Sequence, residues 1–166
     1  MAATPEAWQS GPVSGVPPLL QPVAHALLNC AEQLRDAVER LTPGQLAARP
    51  ANAASIDFHI RHAIGSLDRL FTYARGESLT DSQREYLAGE KEPSNLTSAE
   101  LAGLFDAAVD KALSQLRATD ESSLIDARTI GRAQLPSTVI GLLFHGAEHT
   151  ARHTGQVVTM SKIVSA

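Results

Sequence analysis

The chain has 166 residues, 43% of them hydrophobic but only 4% aromatic, which suits one globular domain with an aliphatic core. Fourteen basic against eighteen acidic residues give a net charge of −4 with neither sign in a long block, so neither a nucleic-acid surface nor a polybasic membrane surface is expected. The lone Cys30 excludes an internal disulfide, no apolar run approaches the ~20 residues that cross a bilayer, and the first residues lack the basic patch and apolar run of a secretory leader. These features predict a cytoplasmic protein whose partners are small molecules or other proteins. In that setting the sequon Asn95-Leu96-Thr97 is accidental.

Residues 1 to about 18 carry Pro5, Pro12, Pro17 and Pro18 with Gly11 and Gly15, which predicts an arm laid across the surface through Trp8. The bundle proper is expected over 19–166. Leu20, Ala24, Leu27, Ala31, Leu34, Val38 and Leu41 step by fours and threes, the seam of a first helix that ends before Pro43-Gly44. Ile56, Ile60, Ala63, Ile64, Leu67 and Phe71 form a second stripe from about Ser55 to Gly76. The polar stretch 77–96, with at most a short helix around 82–87, is long enough to cross the length of a bundle, so the second and third helices are expected to run parallel.

Thr97 followed by Glu100 reads as a capping box opening a third helix to about Ala118, with Leu101, Leu104, Phe105, Ala108, Val109, Ala112, Leu113 and Leu116 as its apolar face. Residues 119–136 form another long connection, extended at most over 129–134, and Pro136-Ser137-Thr138 opens a fourth helix to about Ile163. No persuasive strand pair is seen. The fold class is therefore all-α, a four-helix bundle with long crossover connections.

All six histidines fall in predicted helices, five of them in the second and fourth. His149 and His153 are four residues apart, a spacing that stacks both rings on one helical face within reach of one ion. His145 extends the row to eight residues, roughly 12 Å, too long for a single ion with bonds of about 2 Å. At 100° per residue, Leu142, Gly146, His149, His153 and Met160 fall within about 60° on the inward seam and His145 at its edge, which selects the pair His149 and His153.

A third ligand is expected from His59 or His62 on the facing helix. His62 lies about 140° from the centre of its stripe and His59 nearer the edge, so periodicity alone mildly favours His59. His145-Gly146-Ala147-Glu148-His149 also matches the inverted zinc-peptidase pattern, but residues 150–166 contain no further acid to complete that site. His25 and Cys30 read as packing residues, and no nucleophile elbow, phosphate loop or dinucleotide fingerprint is present.

The segment Ser55-Ile56-Asp57-Phe58-His59-Ile60-Arg61-His62-Ala63-Ile64-Gly65-Ser66 and the segment His149-Thr150-Ala151-Arg152-His153-Thr154-Gly155-Gln156 resemble the two signatures of the DinB/YfiT-like superfamily. The resemblance covers roughly residues 20–164 in element order. It implies an up-down-down-up bundle and a divalent ion, nickel, zinc or iron, held by one histidine of the second helix and an H-x-x-x-H pair of the fourth. Matched residue by residue these are His62, His149 and His153, in conflict with the geometric leaning toward His59. His59 and His145 would then orient ligands or touch substrate.

Three neutral imidazoles leave an ion with net positive charge and an open position, able to lower the pKa of water, polarise a carbonyl or hold a thiolate. The family includes metal-dependent hydrolases and transferases that use low-molecular-weight thiols. The resemblance also implies a homodimer. Hydrolysis calls for an inward carboxylate as base, for which Asp57 and Glu148 are the weak candidates. Thiol transfer demands no protein nucleophile, and this tilts the reading toward it. The competing reading is a noncatalytic bundle that binds metal, dimerises or docks a partner.

Overall fold

Four long helices follow the four apolar stripes in the computed structural model, which describes residues 5–166; the first four residues of the predicted arm lie outside it. They are α1 (Gln21–Val38), α3 (Ile56–Ala74), α5 (Ser98–Ala118) and α6 (Val139–Val164). Two short helices, α2 (Pro43–Ala47) and α4 (Asp81–Gly89), sit in the connections. Side-chain caps fix the starts. Thr97 accepts from the Glu100 N–H while Glu100 reaches back to the Thr97 N–H, the expected capping box, and Thr42 with Gln45 and Thr80 with Gln83 repeat it on α2 and α4.

Contacts along the helices give their directions. Lys111 pairs with Asp68 at 2.6 Å and Gln115 donates to the Phe71 carbonyl at 2.8 Å, so α3 and α5 run parallel, as the long crossover predicts. Arg35 pairs with Asp106 at 2.9 Å while Arg117 reaches Ser14, ahead of α1, at 3.1 Å, so α1 and α5 are antiparallel. Cys30 lies beside Thr154, and Gln45, just beyond α1, donates to the Val164 carbonyl at 2.9 Å, which makes α1 and α6 parallel. Each of α1 and α3 packs chiefly on α5 and α6, an up-down-down-up ring around a core that includes Leu27, Leu34, Ile60, Leu67, Phe105 and Leu142. No described helix is long and apolar enough to cross a membrane.

The connection before α6 differs from expectation. Residues Ala127–Ile130 (β1) and Leu135–Thr138 (β2) form an antiparallel hairpin, with Thr129 opposite Pro136. Pro136 is tolerated because a two-stranded hairpin has only edges, and no further strand needs its missing N–H. The last helix consequently opens at Val139, with the Thr138 hydroxyl accepting from the Gly141 N–H at 3.1 Å, rather than at Pro136.

The arm also docks differently. Trp8 stays 59% exposed, its indole N–H donating to Glu6 at 2.6 Å. What ties the arm to α1 is hydrogen bonding: the Ala7 N–H to Asn29 Oδ1 at 2.8 Å, Gln21 to the Val13 and Val16 carbonyls, and His25 Nε2 at 3.0 Å from the Gly11 carbonyl. Cys30 is buried in the core, as expected.

One close approach positions the candidate site. A Cβ on Gly146 of α6 would lie 2.9 Å from Cε2 of Phe71 on α3, so only glycine lets the two helices come this near one turn away from His149.

Candidate metal centre

The Ser55 hydroxyl caps α3 by accepting from the Phe58 N–H at 3.2 Å, which places His59 and His62 in the first two turns. Because α6 runs antiparallel to α3, His62 meets His149 and His59 meets His153. The Nε2 atoms of His62 and His149 are 3.1 Å apart, and the Nδ1 atoms of His59 and His153 are 2.9 Å apart. One ring nitrogen from each of His62, His149 and His153 lies within 4.8 Å of the others, and all three side chains are half-buried. Two nitrogens on a tetrahedral ion with bonds of 2.0–2.1 Å lie about 3.3 Å apart, so the His62 to His149 separation matches the edge of such a site.

The donor set also fits an ion electrically. Burial, followed by the neighbouring rings, holds His59 and His149 below the ordinary imidazole value and pushes His153 down to about 4. His59, His149 and His153 are therefore neutral at neutral pH, the form that ligates. His149 Nδ1 is buried without a hydrogen-bond partner.

Glu90, from the polar crossover, was not anticipated by any sequence pattern. Its carboxylate is 3% exposed and accepts from His62 Nδ1 at 2.8 Å through Oε2, while Oε1 accepts from Arg69 at 2.6 Å. Burial alone would raise the carboxyl pKa, but the His62 and Arg69 hydrogen bonds outweigh it and hold the group below its ordinary value. An ionised Glu90 can only accept, so it selects the His62 tautomer that carries a proton on Nδ1, in which Nε2 would be the ligating atom.

Arg61 fastens this part of the crossover to α3. Its guanidinium donates to the carbonyls of Gly89 at 3.2 Å and Glu90 at 2.9 Å, and also to that of Glu92. A Cβ on Gly65 would crowd Glu90 Oε1, so the carboxylate can sit where it does over a glycine and would have to shift over any larger residue. A hollow of about 370 Å³ between α3, α4 and α5 is lined by Gly65 and Arg69 but by none of the histidines.

The other candidates fall outside the group. Asp57 is buried and spent on Arg61 at 3.2 Å and on the Ser94 hydroxyl, and Glu148 grips Arg152 at 2.6 Å on the surface. Neither carboxylate is among the clustered donors, and each already pairs with an arginine. His145 is exposed, 3.4 Å from Glu148, with its ring centroid 5.6 Å from that of His149. The pair His149 and His153 lies on the shoulder of α6 rather than in its innermost seam, which is made by Leu143, Ala147, Thr150, Thr154 and Val157. Phe58 stacks on His62 with centroids 5.4 Å apart and planes 9° from parallel, a contact that no sequence pattern indicated.

The sequence model of the DinB superfamily matches residues 26–157, a span that holds all four long helices except the ends of α1 and α6 and contains every histidine of the cluster. The chain belongs to the DinB superfamily. Among curated proteins, none matches it.

Proposed function

We propose that this protein is a metal-dependent enzyme in which His62, His149 and His153 hold one divalent ion, of nickel, zinc or iron. The observation that carries this reading is the convergence of three ring nitrogens from two helices, one of the rings hydrogen-bonded to a buried carboxylate. When bound, the ion would supply Lewis acidity and an open coordination position. Glu90 orients His62 and fixes its proton on Nδ1; Arg69 and Arg61 hold Glu90 in place. His59 bears on the ring of His153.

Transfer to or from a low-molecular-weight thiol is favoured over hydrolysis. A hydrolase needs a carboxylate free to take a proton, and the three carboxylates nearest by element are each engaged: Asp57 by Arg61, Glu148 by Arg152, and Glu90 by both His62 and Arg69. Thiol chemistry makes no such demand, since a thiol is easily ionised. Metal-loaded protein is expected to accelerate consumption of a small electrophile in the presence of a low-molecular-weight thiol, and to lose that rate in His149→Ala. Ester or amide hydrolysis by the same preparation without thiol would favour a hydrolase. No rate in either assay would favour a noncatalytic metal protein.

A further inference from the structure

The N-terminal end of α3 borders a second hollow, of about 480 Å³, within the 300–1,000 Å³ or so typical of small-molecule sites. Leu46 of α2 and Leu96 of the crossover give it apolar walls. Phe58 lines it as well, and the same ring lies flat on His62, so this residue belongs both to the hollow and to the histidine cluster.

The lining carries more positive than negative charge. Arg49 and Lys91 both contribute to it and both are exposed, and among the described residues neither meets a carboxylate. Arg49 uses only Nε, donating to the Ala53 carbonyl at 3.3 Å, which leaves its two terminal nitrogens free. The one acid of the lining, Asp57, is buried and neutralised by Arg61 at 3.2 Å. Two uncommitted cations at one hollow stand out in a chain whose net charge is −4.

The backbone around the hollow is held in an uncommon conformation. Asn95, in the lining, has φ of 59°, and Ala51 and Asn52, between the lining residues Arg49 and Ala54, have φ of 51° and 62°. These are three of the four non-glycine residues in the left-handed region among the described residues, and such backbone gathers at ligand sites.

We propose that this hollow binds a small organic anion with an apolar body, and that such anions are the substrate class of the adjoining centre. Arg49 and Lys91 take the anionic group, while Leu46, Leu96 and Phe58 enclose the apolar body. As a substrate site the hollow rests on the metal-centre reading; as a binding site it does not.

The test uses phenylacetate and its neutral isostere phenylacetamide, titrated calorimetrically into the full chain, metal-loaded, and into Arg49→Gln/Lys91→Gln, Phe58→Ala and His149→Ala. Phenylacetate is expected to bind saturably and about tenfold or more tighter than the amide, as a charge-assisted hydrogen bond provides. The double variant should lose that preference while keeping its metal content and fold, and Phe58→Ala should weaken both probes. Binding of both probes with equal affinity, a preference that survives the double substitution, or no saturable binding would each overturn the proposal. His149→Ala separates the two readings: an anion preference that persists there beside lost metal supports the hollow as a site in its own right. A wild-type protein that binds phenylacetate but never metal would overturn the assignment of these anions as substrates of a metal centre.

Discussion

Replacing Gly65 by alanine pits helix propensity against the geometry of the centre. In an ordinary helix interior the change stabilises by about 1 kcal/mol. Here the added Cβ would stand 2.3 Å from Glu90 Oε1, 2.7 Å from Arg69 Nη1 and 2.7 Å from a Tyr86 ring carbon. Normal carbon-to-oxygen contacts begin near 3.3 Å, so the carboxylate must retreat by about 1 Å. The bond from His62 Nδ1, now 2.8 Å, then passes out of hydrogen-bond range.

A hydrogen bond to a charged group contributes about 1.5–3 kcal/mol, so after the gain in propensity a net loss of about 0.5–2 kcal/mol is expected. The larger effect falls on the ion, because removing the partner that orients a ligating imidazole weakens affinity by about 10–100-fold. Urea denaturation of the metal-free protein reads the first quantity, and competition with a coloured chelator the second. A Gly65→Ala protein as stable as wild type or more so, with unchanged metal affinity, would refute the reasoning. Gly103→Ala on α5 is the control: a Cβ there meets nothing within 4 Å, so a gain of about 1 kcal/mol is expected.

Glu90→Gln should retain the fold but cost about tenfold or more in metal affinity, read by the same competition, because a neutral amide accepts more weakly than a carboxylate and no longer pairs with Arg69. Thr97→Ala removes the hydroxyl that accepts from Glu100 and should cost about 1 kcal/mol in urea denaturation without changing metal content. Metal-free protein should also lose stability on acidification. Free imidazole titrates near 6.5, whereas His59 and His149 are held lower and His153 at about 4, so between these values the unfolded chain binds protons that the folded chain does not. Stability from these groups is complete above about pH 6.5 and falls as the pH drops toward 4; denaturation midpoints measured across that window should show a smaller decline in His153→Gln.

The bundle was legible because its helices announce themselves twice, by apolar spacing and by caps. Thr97 with Glu100 marks the start of α5 to the residue, and the length of the 77–96 crossover gives the parallel course of α3 and α5. Helix α2 carries the same signal: Thr42-Pro43-Gly44-Gln45 has a capping box and a proline at the first helical position. The hairpin offered less. Its strands are four residues each, only β1 alternates in burial, and its turn relies on Gly131 and a left-handed Gln134 rather than on an Asn-Gly pair.

The choice between His59 and His62 shows where periodicity stops being informative. Angles measured from the centre of an apolar stripe assume that a site lies in the core, whereas these rings line the shoulder between α3 and α6, where both histidines reach α6. Glu90 had no signal of its own, being one acid in a polar connection. The hints lay on α3 instead: Gly65 and Arg69 follow His62 by three and seven residues, one helical face on which a buried arginine needs an anion.

The most direct test of the centre is elemental analysis of protein purified without a metal-binding tag, beside His62→Ala, His149→Ala and His145→Ala. Near-stoichiometric divalent metal in the wild type, lost from the first two variants and largely kept in the third, is the predicted result. Full metal content in either His62→Ala or His149→Ala, or none in the wild type after reconstitution, would contradict the three-histidine site.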